Sequence, residues 1–248
     1  MKSYPSKIVT TVGETGLGEI VARHRLAVST EVSFAVTCGL LALFGLLFGD
    51  DVGRGIGAGA GVLAALFAVP AWRKAHRYLY LCSGGLLTST GTAVTRVLTW
   101  DQVAHVRVWT TRVYQLGPVE EFSRCALELT DGTTLNLHKP PYADLDKLAA
   151  AVERRVTETN HPRRAAEIAD TGATGFGPIS ATAAGIRDGE RFAAWSDITG
   201  VQRGRVRLRI YGRNGQPIVS RQVRTIPDVA VLVALVAEGA SRATGRSE

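Results

Sequence analysis

Two long apolar stretches dominate the pattern of hydrophobic and polar positions near the start of the chain. Residues 32–49 and residues 55–72 are each eighteen positions long and contain no charged side chain. About 20 apolar helical residues cross a ~30 Å hydrocarbon layer, so each stretch predicts a membrane-spanning helix. The connection DDVGR permits only a tight turn, which makes the pair an antiparallel hairpin. Two buried helices of a soluble core are the alternative, but such helices usually keep a polar face.

Glycines and flanking charges refine this prediction. Small residues let membrane helices approach closely, and the second stretch has glycines at the small-xxx-small spacing. These helix-packing candidates are Gly55, Gly57, Gly59 and Gly61. Arginines or lysines lie before the first stretch and after the second, whereas the turn has only Arg54 beside two aspartates. The positive-inside rule therefore predicts a two-pass protein of the inner cell membrane with both termini in the cytoplasm.

The segment before the first stretch carries less information. It has no apolar run close to the start, so we expect no cleaved signal peptide. Leu17, Ile20, Val21 and His24 have helical spacing within residues 16–28. That spacing fits a short interfacial helix, and a frayed, solvated segment is the equal alternative.

Beyond residue 73 the pattern changes to short strands separated by turns, and it does so twice. Trp100 and Trp195 each follow a glycine-led strand and begin a similar turn. Further on, Asp131-Gly132 and Asn214-Gly215 predict hairpins. Each series ends in an amphipathic helix, one with Leu145, Leu148, Val152 and Val156 on its apolar face and one with Val229, Leu232, Val233, Val236 and Ala240. We therefore predict an internal repeat, with both tryptophans packed in the core beneath these helices.

The order of glycine turn, strand, tryptophan, strands, hairpin and covering helix resembles the pleckstrin-homology-like (PH-like) fold. The segments YLYLCSGGLLTST and VTRVLTWDQVAHVRV are the parts most similar to bacterial membrane proteins in which a transmembrane hairpin precedes such a domain. The whole chain looks like an actinobacterial family of unknown function with two such domains. The resemblance implies a fold and carries no catalytic residue across.

The predicted class is thus α+β, a two-helix transmembrane hairpin followed by two tandem PH-like domains. Each domain is expected to be a bent antiparallel sheet or partly open barrel, covered by a C-terminal helix. The expected boundaries are a cytoplasmic segment 1–31, a hairpin 32–72 with spans 32–49 and 55–72, a first domain 73–159, a linker 160–175 and a second domain 176–245.

The sharpest functional signal is a run of arginines in the second domain. Its members are Arg203, Arg205, Arg207, Arg209, Arg213, Arg221 and Arg224, and no acid interrupts the run. On one strand the first four would share a face, while Val206, Leu208 and Ile210 would face the core. Arginine binds phosphate bidentately, and basic residues near an anionic membrane contribute about 1 kcal/mol each.

Three other interpretations of this run stay open. The arginines can be a solvated edge whose charges prevent strand pairing. They can bind an acidic protein. Nucleic acid is the least favoured partner, because no aromatic platform accompanies the stripe.

Composition limits the remaining possibilities. The chain is 46% hydrophobic and 21% charged, which excludes a disordered protein, and its net charge of +7 favours an anionic partner. Three cysteines without a CxxC pair and five scattered histidines argue against a disulfide framework or a metal site. No catalytic motif is present, and the acidic neighbours Glu120 and Glu121, or Asp144 and Asp146, point apart. We expect no enzyme activity, cofactor or metal.

Together these patterns predict a non-enzymatic, membrane-anchored binding or adaptor protein. Its expected partners are the lipid bilayer and either anionic lipid headgroups or an acidic protein, with no nucleic acid. The alternative is a structural subunit of a membrane complex, a homo- or hetero-oligomer assembled through the glycine-rich hairpin.

Overall fold

The computed structural model describes residues 4–113, 120–139 and 142–245. These residues form two compact units, one running to Leu98 with a short return near residue 142, and one beginning at Thr99. The class is α+β, with two apolar N-terminal helices, antiparallel sheets and a C-terminal helix. The predicted class is confirmed at this level.

Among the described residues, the first unit has three helices and four strands. Its elements are α1 (Ser6–Glu14), β1 (Ile20–Arg25), α2 (Ser29–Phe48), α3 (Asp51–Ala75), β2 (Arg77–Cys82), β3 (Gly85–Thr90) and β4 (Ala93–Thr99). The strands form one antiparallel sheet in the order β1-β2-β3-β4.

Helices α2 and α3 form the predicted hairpin. Asp50 caps α3, because its Oδ1 accepts a hydrogen bond from the Gly53 N–H at 2.8 Å. An ion pair between Lys74 and Glu31 joins the two helices at their other end. Both helices are long and apolar enough to cross a membrane, and only 6% of each apolar window is buried within the protein. Helix α2 begins three residues before the predicted span 32–49 and ends one residue short of it, and α3 extends beyond the span 55–72 at both ends.

The N-terminal segment contributes a strand that the sequence did not predict. Strand β1 pairs antiparallel with β2, so the hairpin lies between two adjacent strands of one sheet. The expectation of an interfacial helix or a frayed segment at 16–28 is therefore wrong for residues 20–25. The partner strand decides this, because pairing with β2 satisfies the backbone groups and buries His24. Helix α1 packs beside the sheet through Ile8 and Val12.

The described part of the second unit contains ten strands and two long helices. They are β5 (Val103–Val113), β6 (Glu120–Leu129), β7 (Thr134–Asn136), α4 (Leu145–Thr171), β8 (Ala173–Phe176), β9 (Ile179–Thr182), β10 (Gly185–Asp188), β11 (Arg191–Ala194), β12 (Ile198–Arg203), β13 (Arg207–Gly212), β14 (Pro217–Gln222) and α5 (Val229–Thr244). Single 3₁₀ turns cover Trp100–Gln102, Trp195–Asp197 and Val223–Thr225.

Three antiparallel sheets organise this unit. Their strand orders are β5-β6-β7, β11-β10-β9-β8 and β12-β13-β14. The predicted turns at Asp131-Gly132 and Asn214-Gly215 are confirmed, with left-handed glycine φ angles of 81° and 71° that an L side chain rarely adopts. A continuous core lies between the sheets β8–β11 and β12–β14 and the apolar face of α5, including Phe176, Leu208 and Leu232.

Helix α4 passes through the segment expected to be a linker. Residues 160–171 continue the helix despite Pro162, and only Gly172 ends it, with a φ of 83°. Tertiary contacts explain the continuation: the Asn160 Nδ2 and Arg163 Nη2 groups both donate hydrogen bonds to the Ala104 carbonyl, at 3.2 and 3.1 Å. Thus α4 buries Leu148 and Val152 in its first half and packs Ile168 against the core described above in its second half.

Candidate functional site

The predicted arginine strand is in fact two strands and a turn. Strand β12 ends at Arg203 and β13 begins at Arg207, and the Gly204 N–H closes the turn by donating to the Arg207 carbonyl at 2.9 Å. The expectation that Val206 faces the core is therefore wrong, since this side chain is 42% exposed. Leu208 and Ile210 are fully buried as expected.

The outward face of β13 is basic. Arg207 and Arg209 are both exposed on this face, opposite the buried Leu208 and Ile210. In register, Arg209 lies between Gln202 of β12 and Ser220 of β14. The Arg207 Nη1 group donates a hydrogen bond to the Ser220 Oγ at 2.9 Å. Three strands thus present one polar, basic surface.

A second hairpin brings another arginine to this surface. Arg112 near the end of β5 is the register partner of Glu121 on β6, and its Nε donates to the Glu121 Oε1 at 2.9 Å. The other Glu121 oxygen, Oε2, accepts a hydrogen bond from Arg205 in the β12–β13 turn. One carboxylate therefore bridges guanidinium groups from two hairpins.

Residues of both hairpins line a pocket of about 380 Å³. Its described lining is Arg112, Gln202, Gly204, Arg205, Val206, Arg207 and Arg209. We call the four arginines and the pocket the arginine cluster. Sequence alone missed Arg112 and Glu121, because a separation of more than 80 residues hides their proximity to Arg205.

The electrostatics of the cluster leave an excess of positive charge. Desolvation acts to raise the pKa of the Glu121 carboxyl, but hydrogen bonds from Arg112 and Arg205 outweigh it and hold the pKa below its usual range. Glu121 is therefore ionised near neutral pH and offsets one of the four positive charges. Four positive charges against one negative charge leave a surface suited to an anion with several oxygen acceptors.

The other predicted arginines lie outside the pocket. Arg203 pairs with Glu153 at 2.8 Å, and Arg221 binds Asp188 with its Nη2 2.7 Å from Oδ1. Arg213 donates to the Ser196 carbonyl at 2.9 Å and lies 3.7 Å from Asp197. Arg224 is exposed. The structure thus brings together three of the seven predicted arginines and adds Arg112.

The four predicted helix-packing glycines divide between two faces of α3. Gly57 lies against the backbone of α2, where an added Cβ would come within 3.0 Å of the Ala42 carbonyl oxygen. Gly61 faces the same helix, with the Ala42 Cβ at 3.7 Å from the position of an added Cβ. At Gly55 and Gly59 such a Cβ would meet nothing within 4 Å among the described residues. The hairpin therefore uses one small-xxx-small pair and leaves the other exposed.

The two tryptophans lie in different environments. Trp100 is buried, whereas Trp195 is only half-buried beneath α5. The Trp195 Nε1 group donates to the Ala183 carbonyl at 3.1 Å, and a Cβ on Gly239 would lie 2.6 Å from its ring. Gly239 is thus the residue that lets α5 approach Trp195, beside an apolar cavity of about 330 Å³.

A buried polar network also lies within the second unit, and sequence reasoning did not find it. Asp228 is fully buried at the start of α5, in a left-handed backbone conformation with φ 48°. Its Oδ1 accepts from the Val106 N–H and its Oδ2 contacts the His105 Nδ1, both at 2.7 Å. The Arg164 guanidinium is 3.7 Å from Asp228 and 2.7 Å from Glu167. The network holds β5, α4 and the start of α5 together.

A search of the described residues finds no group of three or more His, Cys, Asp or Glu side chains placed to hold a metal ion. The densest grouping of like-charged side chains at a described pocket is the arginine cluster.

Residues 3–244 match the DUF6585 family model, a family of unknown function, so the chain belongs to that family. No curated protein and no solved structure matches it.

Proposed function

We propose that this protein is a non-enzymatic, membrane-anchored binding protein whose arginine cluster binds the phosphate of an anionic lipid headgroup. The observation that carries the proposal is the convergence of four guanidinium groups on one pocket of about 380 Å³. Phosphate offers the several acceptor oxygens that such groups bind most strongly. The apolar helices α2 and α3 supply the membrane anchor in this proposal.

The proposed setting is the inner membrane of a bacterial cell. Arg73, Lys74 and Arg77 follow the second apolar stretch, and Arg23 and Arg25 precede the first. By the positive-inside rule both chain termini are cytoplasmic, where the leaflet is anionic and attracts basic surfaces. A lipid headgroup is then the anion at the highest local concentration, which favours it over an acidic protein or nucleic acid.

We also propose that the fold is a pair of PH-like domains. A four-stranded sheet, a 3₁₀ turn beginning with tryptophan, a three-stranded sheet and a helix follow one another in the order β1–β4, β5–β7, α4. The same order recurs in β8–β11, β12–β14, α5. In this view the hairpin is an insertion between the first two strands of the first domain.

Charge reversal tests the lipid proposal. We expect Arg207→Glu combined with Arg209→Glu to weaken binding of phosphatidic acid to the full chain by at least about tenfold, since two attractive charges become repulsive. Native mass spectrometry of the detergent-solubilised protein, titrated with phosphatidic acid or phosphatidylcholine, measures this directly.

The matched control is Arg213→Glu with Arg224→Glu, which changes the net charge equally but lies outside the pocket. Lipid that binds along the hairpin is common to both variants and cancels in the comparison. Equal phosphatidic acid binding by the wild type and the Arg207/Arg209 variant would overturn the proposal.

The second candidate function is assembly through the hairpin, and the exposed Gly55/Gly59 face favours it. The double substitution Gly55→Leu with Gly59→Leu closes this face without touching α2. If the face is an oligomer contact, the detergent-solubilised particle measured by light scattering becomes smaller. An unchanged mass removes this alternative.

A further inference from the structure

Glu121 occupies the position in the arginine cluster where an anionic ligand is expected. Its two carboxylate oxygens bind different guanidinium groups, Oε1 that of Arg112 and Oε2 that of Arg205. This is the bridging geometry that two phosphate oxygens would adopt between the same donors. The acid comes from β6 and one of its partners from the β12–β13 turn, so the contact is a tertiary one and not a simple neighbour effect.

The other two arginines are differently placed. Arg207 donates to the neutral Ser220 hydroxyl, and the Arg209 guanidinium makes no hydrogen bond or ion pair within the described residues. The cluster is therefore divided into two guanidinium groups already neutralised in part by Glu121 and two that are available to an incoming anion.

We propose that Glu121 is a built-in competitor of the ligand, which weakens the binding of phosphate groups at the cluster. This inference rests on the proposed function. An incoming anion must either displace the carboxylate from Arg112 and Arg205 or bind beside it against its repulsion. A monoester carries a charge of about −1.5 to −2 at neutral pH, whereas a diester carries only one negative charge. The arginines therefore bind the monoester more strongly, and it overcomes the competition from Glu121 at a lower concentration.

Removal of the carboxylate tests the competition. We expect Glu121→Gln to bind phosphatidic acid, a monoester lipid, about tenfold more tightly than the wild type, because one close repulsive charge is lost. Phosphatidylglycerol, a diester lipid, should gain no more than phosphatidic acid, because its single charge is repelled less by the carboxylate. The measurement is the same titration of full-length protein by native mass spectrometry, with Glu121→Ala as a second variant.

The matched control is Glu128→Gln. Glu128 lies on the same strand, pairs with Arg107 at 3.4 Å, and its loss changes the net charge by the same amount outside the cluster. The affinities of Glu128→Gln for both lipids should stay within about twofold of the wild type, since an exposed ion pair contributes little. Competition by inorganic phosphate separates a free phosphate site from a headgroup site: displacement of lipid at equal molar concentration indicates the former.

The outcomes distinguish the inference from the function on which it rests. Unchanged or weaker phosphatidic acid binding in both Glu121 variants would overturn the inference and assign Glu121 the role of positioning Arg112 and Arg205. An equal gain in Glu128→Gln would also overturn it, since the effect would then be one of net charge. Failure of the Arg207/Arg209 reversal to weaken binding overturns the proposed function itself.

Discussion

The helical hairpin and the β12–β14 sheet place their apolar side chains in opposite ways. In α2 and α3 the large apolar residues point outward, as with Leu66 at 63% exposure, and glycine backbone fills the contact between the helices. In the sheet, Leu208 and Ile210 are fully buried and arginines point outward. The hairpin thus exposes its apolar side chains, whereas the sheet buries its apolar side chains and exposes its charged ones.

The largest expected effect on membrane association comes from a charge placed on the hairpin surface. Leu66→Asp should sharply reduce the membrane-bound fraction, because an aspartate near the bilayer centre costs about 2.5–3.5 kcal/mol. Val206→Asp, also at an exposed apolar position but in the β12–β13 turn, should leave that fraction unchanged. Carbonate extraction of membranes measures both. Full retention of the Leu66→Asp protein in the membrane would contradict a spanning hairpin.

The largest expected effect on folding stability concerns the buried polar network around Asp228 in the second unit. Asp228→Ala should destabilise the protein by about 3–5 kcal/mol, since it leaves His105, Arg164 and the Val106 N–H without their buried partner. Asp228→Asn should cost less, because asparagine tolerates the left-handed φ and keeps an acceptor. Urea unfolding followed by circular dichroism gives both values. Equal losses in the two variants would show that the retained acceptor and the left-handed φ add no stability, and that the charge of the Asp228 carboxylate accounts for the whole effect.

A smaller effect is expected where the hairpin packs glycine against backbone. Gly57→Ala should destabilise the hairpin by about 1–3 kcal/mol, because the new methyl group would crowd the backbone of α2. Gly55→Ala should be neutral or stabilising by up to about 1 kcal/mol, since it gains helix propensity and meets nothing. Thermal unfolding in detergent compares the two. The same loss at both positions would mean that the exposed glycine face is also packed.

The smallest expected effect concerns the reactivity of the buried cysteine thiols. Burial raises the pKa of Cys125 to about 12 and that of Cys82 to about 11. Both thiols stay protonated at pH 8, so iodoacetamide should label them only slowly in the folded protein and rapidly in urea. An unfolded thiol ionises at about pH 8.5, so the free energy of unfolding keeps its full value below that pH. It falls as the pH rises toward the raised pKa values of the folded state. Fast labelling of the folded protein would contradict the buried positions.

The sequence was most informative where the signal is local. Uncharged runs predicted α2 and α3, and Asp131-Gly132 and Asn214-Gly215 predicted their turns, because length, composition and left-handed glycine act within a few residues. Strand β1 was missed for the opposite reason. Its six residues have no decisive pattern, and the partner that makes them a strand comes only after the entire hairpin.

The candidate site follows the same rule. The arginine-rich run identified Arg205, Arg207 and Arg209, but its strict alternation concealed the turn at Gly204. Arg112 and Glu121 have no sequence signal, since only tertiary structure brings the end of the β5–β6 hairpin to the β12–β13 turn. The division of the glycines between Gly57 and Gly55 likewise depends on how α2 and α3 rotate against each other.

The most direct test of the central proposal is hydrogen–deuterium exchange of the full chain in nanodiscs, with and without phosphatidic acid in phosphatidylcholine. We expect slower exchange, confined to peptides covering residues 202–209 and the ends of β5 and β6, when phosphatidic acid is present. The apolar helices should be protected equally in both lipids. Unchanged exchange at residues 202–209, with protection elsewhere, would contradict binding of the headgroup at the arginine cluster.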